Sequence, residues 1–296
     1  MFLRDRSDGV KLRQPHALNA VMPYLMRSKN GSAIYYEKDL DVENALHYVR
    51  AKNAANGPAA ESGAPSDEGE RYSLFALVLA AAQRTLAFKP EINNFIHGKA
   101  LYRHKDIVFS FVVKKRMTEE SPEANAKVFF DPDDCLDQVT AKVNAAILRA
   151  RTTRDGPGEH SLSLAHAIPG GKALFTTVFR ALDRINLAPA RMIRDDPLYC
   201  SVYFANLGSL GLDAPFHHLY EWGNASVFIV LGKLNLKETR GPNGSPVRRH
   251  HLTLKATVDE RIADGLYFAS ASSLFAKLIA RPELLETPEP AGFRVG

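Results

Sequence analysis

The sequence predicts an α+β fold, or an α/β fold, built on a mixed sheet. Two observations carry this. Stretches of helical periodicity alternate with β-rich runs along the whole chain. The C-terminal third also holds strand–turn–strand units, which add hairpins to the same sheet. With 45% hydrophobic and 24% charged residues over 296 positions, the chain can bury a sizeable core. Size alone allows one large domain or two small ones.

The elements follow in order. Residues 1–33 are turn-rich and then apolar through Ala20–Met26. Asp41 to Lys52 reads as a short helix, because Val42, Ala45, Leu46 and Val49 recur at helical spacing and Asp41 can cap it. Residues 53–70 lack any large apolar side chain and are rich in Ala, Gly, Pro, Ser and Glu, the composition of a flexible loop. Tyr72 to Lys89 is apolar nearly all round, so it predicts a deeply buried helix that Pro90 ends. Ile107 to Lys114 and Ala126 to Phe130 read as strands. Asp133 or Asp134 is expected to cap a long helix reaching about Arg151, with Leu136, Val139, Val143 and Ile147 as its apolar stripe. Another loop is read at 152–161, and a helix over Ala173–Asn186. Cys200–Asn206 and Ser226–Lys233 are predicted strands. A turn at 240–246 separates Leu234–Glu238 from a last strand, Val247–Val258. Asp264 to Ala280 is read as a closing amphipathic helix, and the tail 287–296 as mobile or docked on a partner.

Composition narrows the function classes. The longest apolar run, Leu74 to Ala82, is far short of the ~18 residues of a membrane span. The first residues are charged and lack a signal-peptide core, so a cytoplasmic location is expected. Two cysteines, Cys135 and Cys200, support neither a disulfide framework nor a cysteine zinc cluster. The net charge of +5 is scattered, with one dense group at Arg248, Arg249, His250 and His251 beside Lys233 and Lys237. A solvated basic hairpin is its plainest reading, an anionic cofactor site the next, and no nucleic-acid-binding motif accompanies it. The run Asn206–Gly211 (NLGSLG) follows a strand without the spacing of a dinucleotide fingerprint.

Five segments in sequence carry a more specific signal. They are PEINNFIHGKALYRHKDIVFSFVVKK (90–115), SVYFANLGSLG (201–211), VFIVLGK (227–233), VDERIADG (258–265) and RPELLE (281–286). Together they resemble the acyltransferase catalytic domain of 2-oxo acid dehydrogenase complexes, over roughly residues 15 to 286. The resemblance implies a single catalytic domain over 1–296. It also implies the chloramphenicol acetyltransferase-like two-layer sandwich with a mixed sheet, assembled as a trimer with active sites between subunits. Coenzyme A would then be a substrate. No lipoyl or subunit-binding domain is recognised in this chain, so a lipoyl-bearing protein is expected to act in trans. No metal is expected.

The family's C-terminal pattern is Asp-His-Arg, two residues, then Asp-Gly opening a helix. The matching run here is Asp259-Glu260-Arg261-Ile262-Ala263-Asp264-Gly265, so Glu260 stands in the place of the catalytic histidine. By register with the family, Ser201 takes the place of the hydroxyl that stabilises the tetrahedral oxyanion; read without that register, it is a strand-end serine bonded to backbone. Asp264 matches the structural aspartate, expected to pair with an arginine, and it also reads as a plain helix N-cap. Glu260 as a base would lack the cation that histidine becomes, and its charge opposes thiolate formation. It is therefore expected more as a salt-bridge partner of Arg261 or Lys255.

His217 and His218 are candidate substitute bases, since neighbours in an extended segment face opposite ways and one of them would then face the site. Adding Glu221 gives no convincing metal set. His250 and His251 are decoys, because no Asp-Gly follows them at the needed spacing, and Tyr220 and Trp222 read as packing residues. Three readings follow: an acyl-thioester transferase, a non-catalytic trimeric core homologue, and a binding protein for coenzyme A or an acyl thioester.

Overall fold

A computed structural model describes residues 6–13, 17–55, 72–114, 123–152, 171–241 and 243–288. The predicted loop at 53–70 begins as helix through Ala55, and its remainder, 56–70, lies outside the described residues. The loop at 152–161 and the tail from 289 onward lie outside them too, apart from helical Thr152.

Among the described residues the strands form two sheets. The larger contains β2 (Ala33–Asp41), β5 (Ile107–Lys114), β6 (Glu123–Phe130), β7 (Val202–Asn206), β8 (Val227–Arg240) and β9 (Pro246–Asp259), in the order β2-β9-β8-β7-β5-β6. Strand β7 runs parallel to both β5 and β8, and the other pairs are antiparallel, so the sheet is mixed as expected. The smaller, antiparallel sheet has β1 (Gly9–Lys11), β4 (Ala100–His104) and β3 (Asn94–His97) in the order β1-β4-β3. The helices are α1 (Ala17–Leu25), α2 (Glu43–Ala55), α3 (Leu74–Phe88), α4 (Leu136–Thr152), α5 (Gly171–Arg184), α6 (Ala190–Asp195) and α7 (Gly265–Ala280).

The main core lies between one face of the large sheet and helices α2, α3, α4 and α7. Helix α3 is central. Every residue from Ala76 to Leu86 is buried, which explains its apolar circumference. Ser73 caps it by accepting the Ala76 N–H at 3.1 Å. The two long polar side chains in this helix reach backbone carbonyls: Gln83 donates to Asp131 and Pro132, and Arg84 to Asp134 and Leu284.

The cap of α4 differs from expectation. Helix α4 starts at Leu136, and Gln138 reaches back to the Cys135 N–H at 2.8 Å, as one half of a capping box. Asp134 instead braces the turn, holding the Asp131 N–H and the Lys142 ammonium.

The opposite sheet face carries a second cluster, including Val108, Cys200, Tyr203, Phe228 and Val230, roofed by Ala214, Leu219 and Ala225 of the segment 212–226. The predicted strands at 226–233 and 234–238 are one strand, β8, with a register shift between Leu231 and Leu234. That bulge reverses the side-chain alternation, so the sequence reads as two pieces.

Candidate active site

The run matching the family's catalytic turn sits where β9 ends and α7 begins. Asp259 is fully buried and Arg261 is 3% exposed. They form a two-pronged pair: Arg261 Nε donates to Asp259 Oδ1 at 2.8 Å and a terminal nitrogen to Oδ2 at 2.6 Å. The Oδ1 atom also accepts the Ser32 hydroxyl at 3.0 Å and the Arg261 N–H at 3.1 Å. The second terminal nitrogen of Arg261 donates to the Met26 carbonyl. The backbone is tied on three more sides: Asp259 N–H to Ser226, Glu260 N–H to Ser32, and the Asn94 amide to the Ile262 carbonyl. The turn is thus fixed by residues from three distant parts of the chain.

Lys29 lies beside this pair. Its ammonium donates to the carbonyls of Tyr220 at 3.0 Å and Gly223 at 2.8 Å. Burial pulls it down to about 8, against the attraction of Asp259 and Glu221. Burial alone would raise the Glu221 carboxyl, but the Asn30 and Lys29 N–H groups, the Asn30 amide and the Lys29 charge hold it below the usual carboxylate range.

The lysine has a consequence for stability. Its folded value lies below the ordinary 10.5, so between pH 8 and 10.5 the unfolded chain binds more protons at this site. Stability from this group therefore rises with pH through that window and is lost as pH falls through 8. The advantage of wild type over Lys29→Met is expected to grow by roughly 3 kcal/mol from pH 8 to 10.5, read by urea denaturation. A flat difference would mean that the ammonium is not desolvated.

The expected site residues are placed as follows. Glu260 is half-buried, and among the described residues its carboxylate makes no hydrogen bond or ion pair. The expected partners are taken: Arg261 pairs with Asp259, and Lys255 with Glu37 at 3.4 Å. Asp264 is exposed and caps α7, accepting the Tyr267 N–H at 2.8 Å. The arginine pairing expected of it falls to Asp259 instead. Ser201, 1% exposed, precedes β7. Its hydroxyl accepts the Val108 N–H at 2.9 Å, while its own proton has only a long contact to the Asp106 carbonyl, at 3.5 Å. No hydrogen bond within one chain joins Ser201 to Glu260 among the described residues.

His217 and His218 do not point to opposite faces. Their rings stack at 4.4 Å, because the segment is irregular rather than extended. His217 also lies flat on Phe228, with centroids 4.0 Å apart, and its Nδ1 contacts the His218 carbonyl at 2.7 Å. With Tyr203 and Tyr220 it lines a cavity of about 410 Å³ whose wall also takes in Phe75 of α3 and Ile147 of α4. Glu221 is occupied by Lys29 and Asn30. Trp222 packs on Phe179 at 5.2 Å and donates to Asp196.

The basic hairpin is a ladder of ion pairs and hydrogen-bonded pairs. Lys237 and His251 meet Asp39, Arg249 meets Asp41, and Lys233 faces Asp213. The His250 backbone N–H and ring hold the Glu43 carboxyl down to about 2. Residues the sequence reading missed, Lys29 and Ser32, complete the framework of the turn.

A second, apolar cavity of about 280 Å³ lies between α7, α3 and the sheet, with Gly265, Val258 and Val202 in its wall. Among the described residues, no helix is long and apolar enough to cross a membrane.

No family model matches the sequence, and no curated protein sequence matches it. Solved structures do match. A dihydrolipoamide acetyltransferase of Azotobacter vinelandii is 15% identical, with 91% of this chain and 88% of that one covered and a TM-score of 0.57. The cubic core of a pyruvate dehydrogenase multienzyme complex is 15% identical over 91% and 88%, with a TM-score of 0.53. A chloramphenicol acetyltransferase is 14% identical over 94% and 99%, with a TM-score of 0.54. The fold is therefore that of chloramphenicol acetyltransferase and of dihydrolipoamide acetyltransferase catalytic cores.

Proposed function

We propose that this chain is a coenzyme A/lipoyl-type thioester acyltransferase-like protein whose catalysis is altered or impaired by Glu260. The observation that carries this reading is the clamped turn. The buried Asp259–Arg261 pair fixes the backbone on both sides of Glu260, whose carboxylate has no hydrogen-bond or ion-pair partner among the described residues. A backbone held in position beneath an unengaged carboxylate suits a reacting group. The Azotobacter enzyme's catalytic mechanism has been examined at a serine, a histidine and an asparagine, the last two four positions apart. Glu260 and Asp264 have the same separation.

The reaction asks for a base, an oxyanion donor and two thiols. A thiol loses its proton to the base, and its sulfur attacks the thioester carbonyl. The tetrahedral oxyanion then collapses, and the departing thiolate recovers the proton. Glu260 would accept that proton, with His217 or His218 as the alternative base. Ser201 would turn its weakly held proton toward the oxyanion. Asp264 would set the start of α7. Coenzyme A is a substrate in this scheme, and the lipoyl group would come from another chain. Because no hydrogen bond among the described residues joins Ser201 to Glu260 within one copy, the site would form between copies of a homotrimer or larger cage. A monomer by light scattering at micromolar concentration would overturn the shared site.

One observation favours a second reading, a non-catalytic structural or regulatory trimeric core homologue. The Ser201 hydroxyl is buried and already accepts a backbone N–H. The deciding experiment measures coenzyme A binding and acyl transfer. With Glu260 as base, Glu260→Ala is expected to lower kcat/KM about 100-fold, and Ser201→Ala by about 100- to 1000-fold. Transfer absent in wild type but gained in Glu260→His would instead assign the second reading.

A further inference from the structure

We infer that the 280 Å³ cavity beneath α7 receives the apolar tail of an acyl thioester, so that the preferred acyl group is a medium-length chain rather than acetyl. The inference rests on the acyl-thioester reading and specifies its substrate.

The cavity exists because small residues meet across the core. The floor is two rows of the sheet. Ile34, Val258, Val227 and Val202 are register neighbours across four strands, and Tyr36, Ala256 and Ile229 form the next row. The roof is α7, which presents Ala271 and Ser272 between Phe268 and Phe275. Ala82 of α3 closes the back. Alanine and serine at these positions leave unfilled the volume that larger side chains would take. The lining is almost wholly apolar, and a cavity of about 150 Å³ with such walls already binds benzene. By that measure 280 Å³ suits a chain of about eight carbons.

Its placement supports the assignment. The mouth opens between the start of α7, where Gly265 and Ala269 are exposed, and the edge strand β2, where Ile34 is 36% and Tyr36 46% exposed. Gly265 directly follows Asp264, and Val258 lies two positions before Glu260. A thioester held at the Glu260 turn would therefore have the opening beside it. Each methylene moved from water to such a wall strengthens binding about fourfold when fully buried.

Isothermal titration of acetyl-coenzyme A, octanoyl-coenzyme A and octanoate tests this. Octanoyl-coenzyme A is expected to bind at least tenfold tighter than acetyl-coenzyme A. That ratio is expected to fall toward one in Ala271→Phe, which fills the interior, and in Ala269→Trp, which blocks the mouth from an exposed helix position and spares the core. Phe268→Ala is expected to move the optimum to longer chains. Equal affinity for the two thioesters in wild type, or a ratio unchanged by both filling variants, overturns the cavity assignment while the acyltransferase reading stands. Binding of octanoate that Ala271→Phe abolishes, with no thioester bound, upholds the cavity and overturns the coenzyme A reading. No binding of any of the three probes overturns both.

Discussion

Asp259→Ala is expected to cost about 3–5 kcal/mol of folding stability. Arg261 is 3% exposed, and three of the hydrogen bonds at its turn end on the Asp259 carboxylate. Removing that carboxylate strands a guanidinium in a site closed to water, which costs more than the pair itself contributes. The Ser32 hydroxyl loses an acceptor at the same time, although it keeps the carbonyls of Ser28 and Lys29. The double variant Asp259→Ala/Arg261→Met is expected to recover most of the loss, because no charge is then left behind. Urea denaturation of the two single variants and the double variant measures this. A single-variant loss below about 1 kcal/mol would place the pair among solvent-screened surface bridges.

Gly223→Ala is expected to cost about 3–4 kcal/mol. Its φ of +71° lies in the left-handed region, which costs a residue with a Cβ about 1–2 kcal/mol. The added Cβ would also stand 2.1 Å from the Leu198 carbonyl oxygen. That oxygen cannot move freely, since it accepts the N–H groups of Asn224 and Ala225 at 3.0 and 3.2 Å. The Gly223 carbonyl in turn holds the buried Lys29 ammonium. Gly211 provides the control. It has a similar φ of +74° with open space around it, so Gly211→Ala is expected to cost only the conformational share, about 1 kcal/mol. Equal losses in the two variants would mean that the Leu198 contact relaxes at no cost.

The legible parts of the fold are those with strong local pattern. Strand β5 lies at its predicted residues, and α3 falls within its predicted span, because a run such as IVFSFVVK and an all-apolar helix have no competing reading. Strand β2 was missed. It is an edge strand with most side chains exposed, so AIYYEKDLD shows no clean alternation. The β3–β4 hairpin was missed as well, its turn resting on Gly98 at φ +62° within a polar stretch. In the candidate site, the position of Glu260 was legible and its surroundings were not. Asp259 and Arg261 stand two positions apart where a strand ends, a spacing that places side chains on one face and signals their pairing. Lys29 and Ser32 carried no such signal, because they meet Asp259 only across more than two hundred residues of chain.

The pairing of β2 with β9 governs when this protein can fold. Ala33 lies opposite Asp259, so the first strand of the large sheet has no partner until the last strand exists. Synthesis at about 5–20 residues per second puts tens of seconds between the two on a ribosome. Closing so long a loop makes this a late and slow contact. Through that interval Ile34, Tyr35 and Tyr36 are part of an unpaired nascent segment, open to chaperones and to other chains. The turn bearing Glu260 is bonded to Ser32, directly before that same strand, so it too is completed only once β9 has been made.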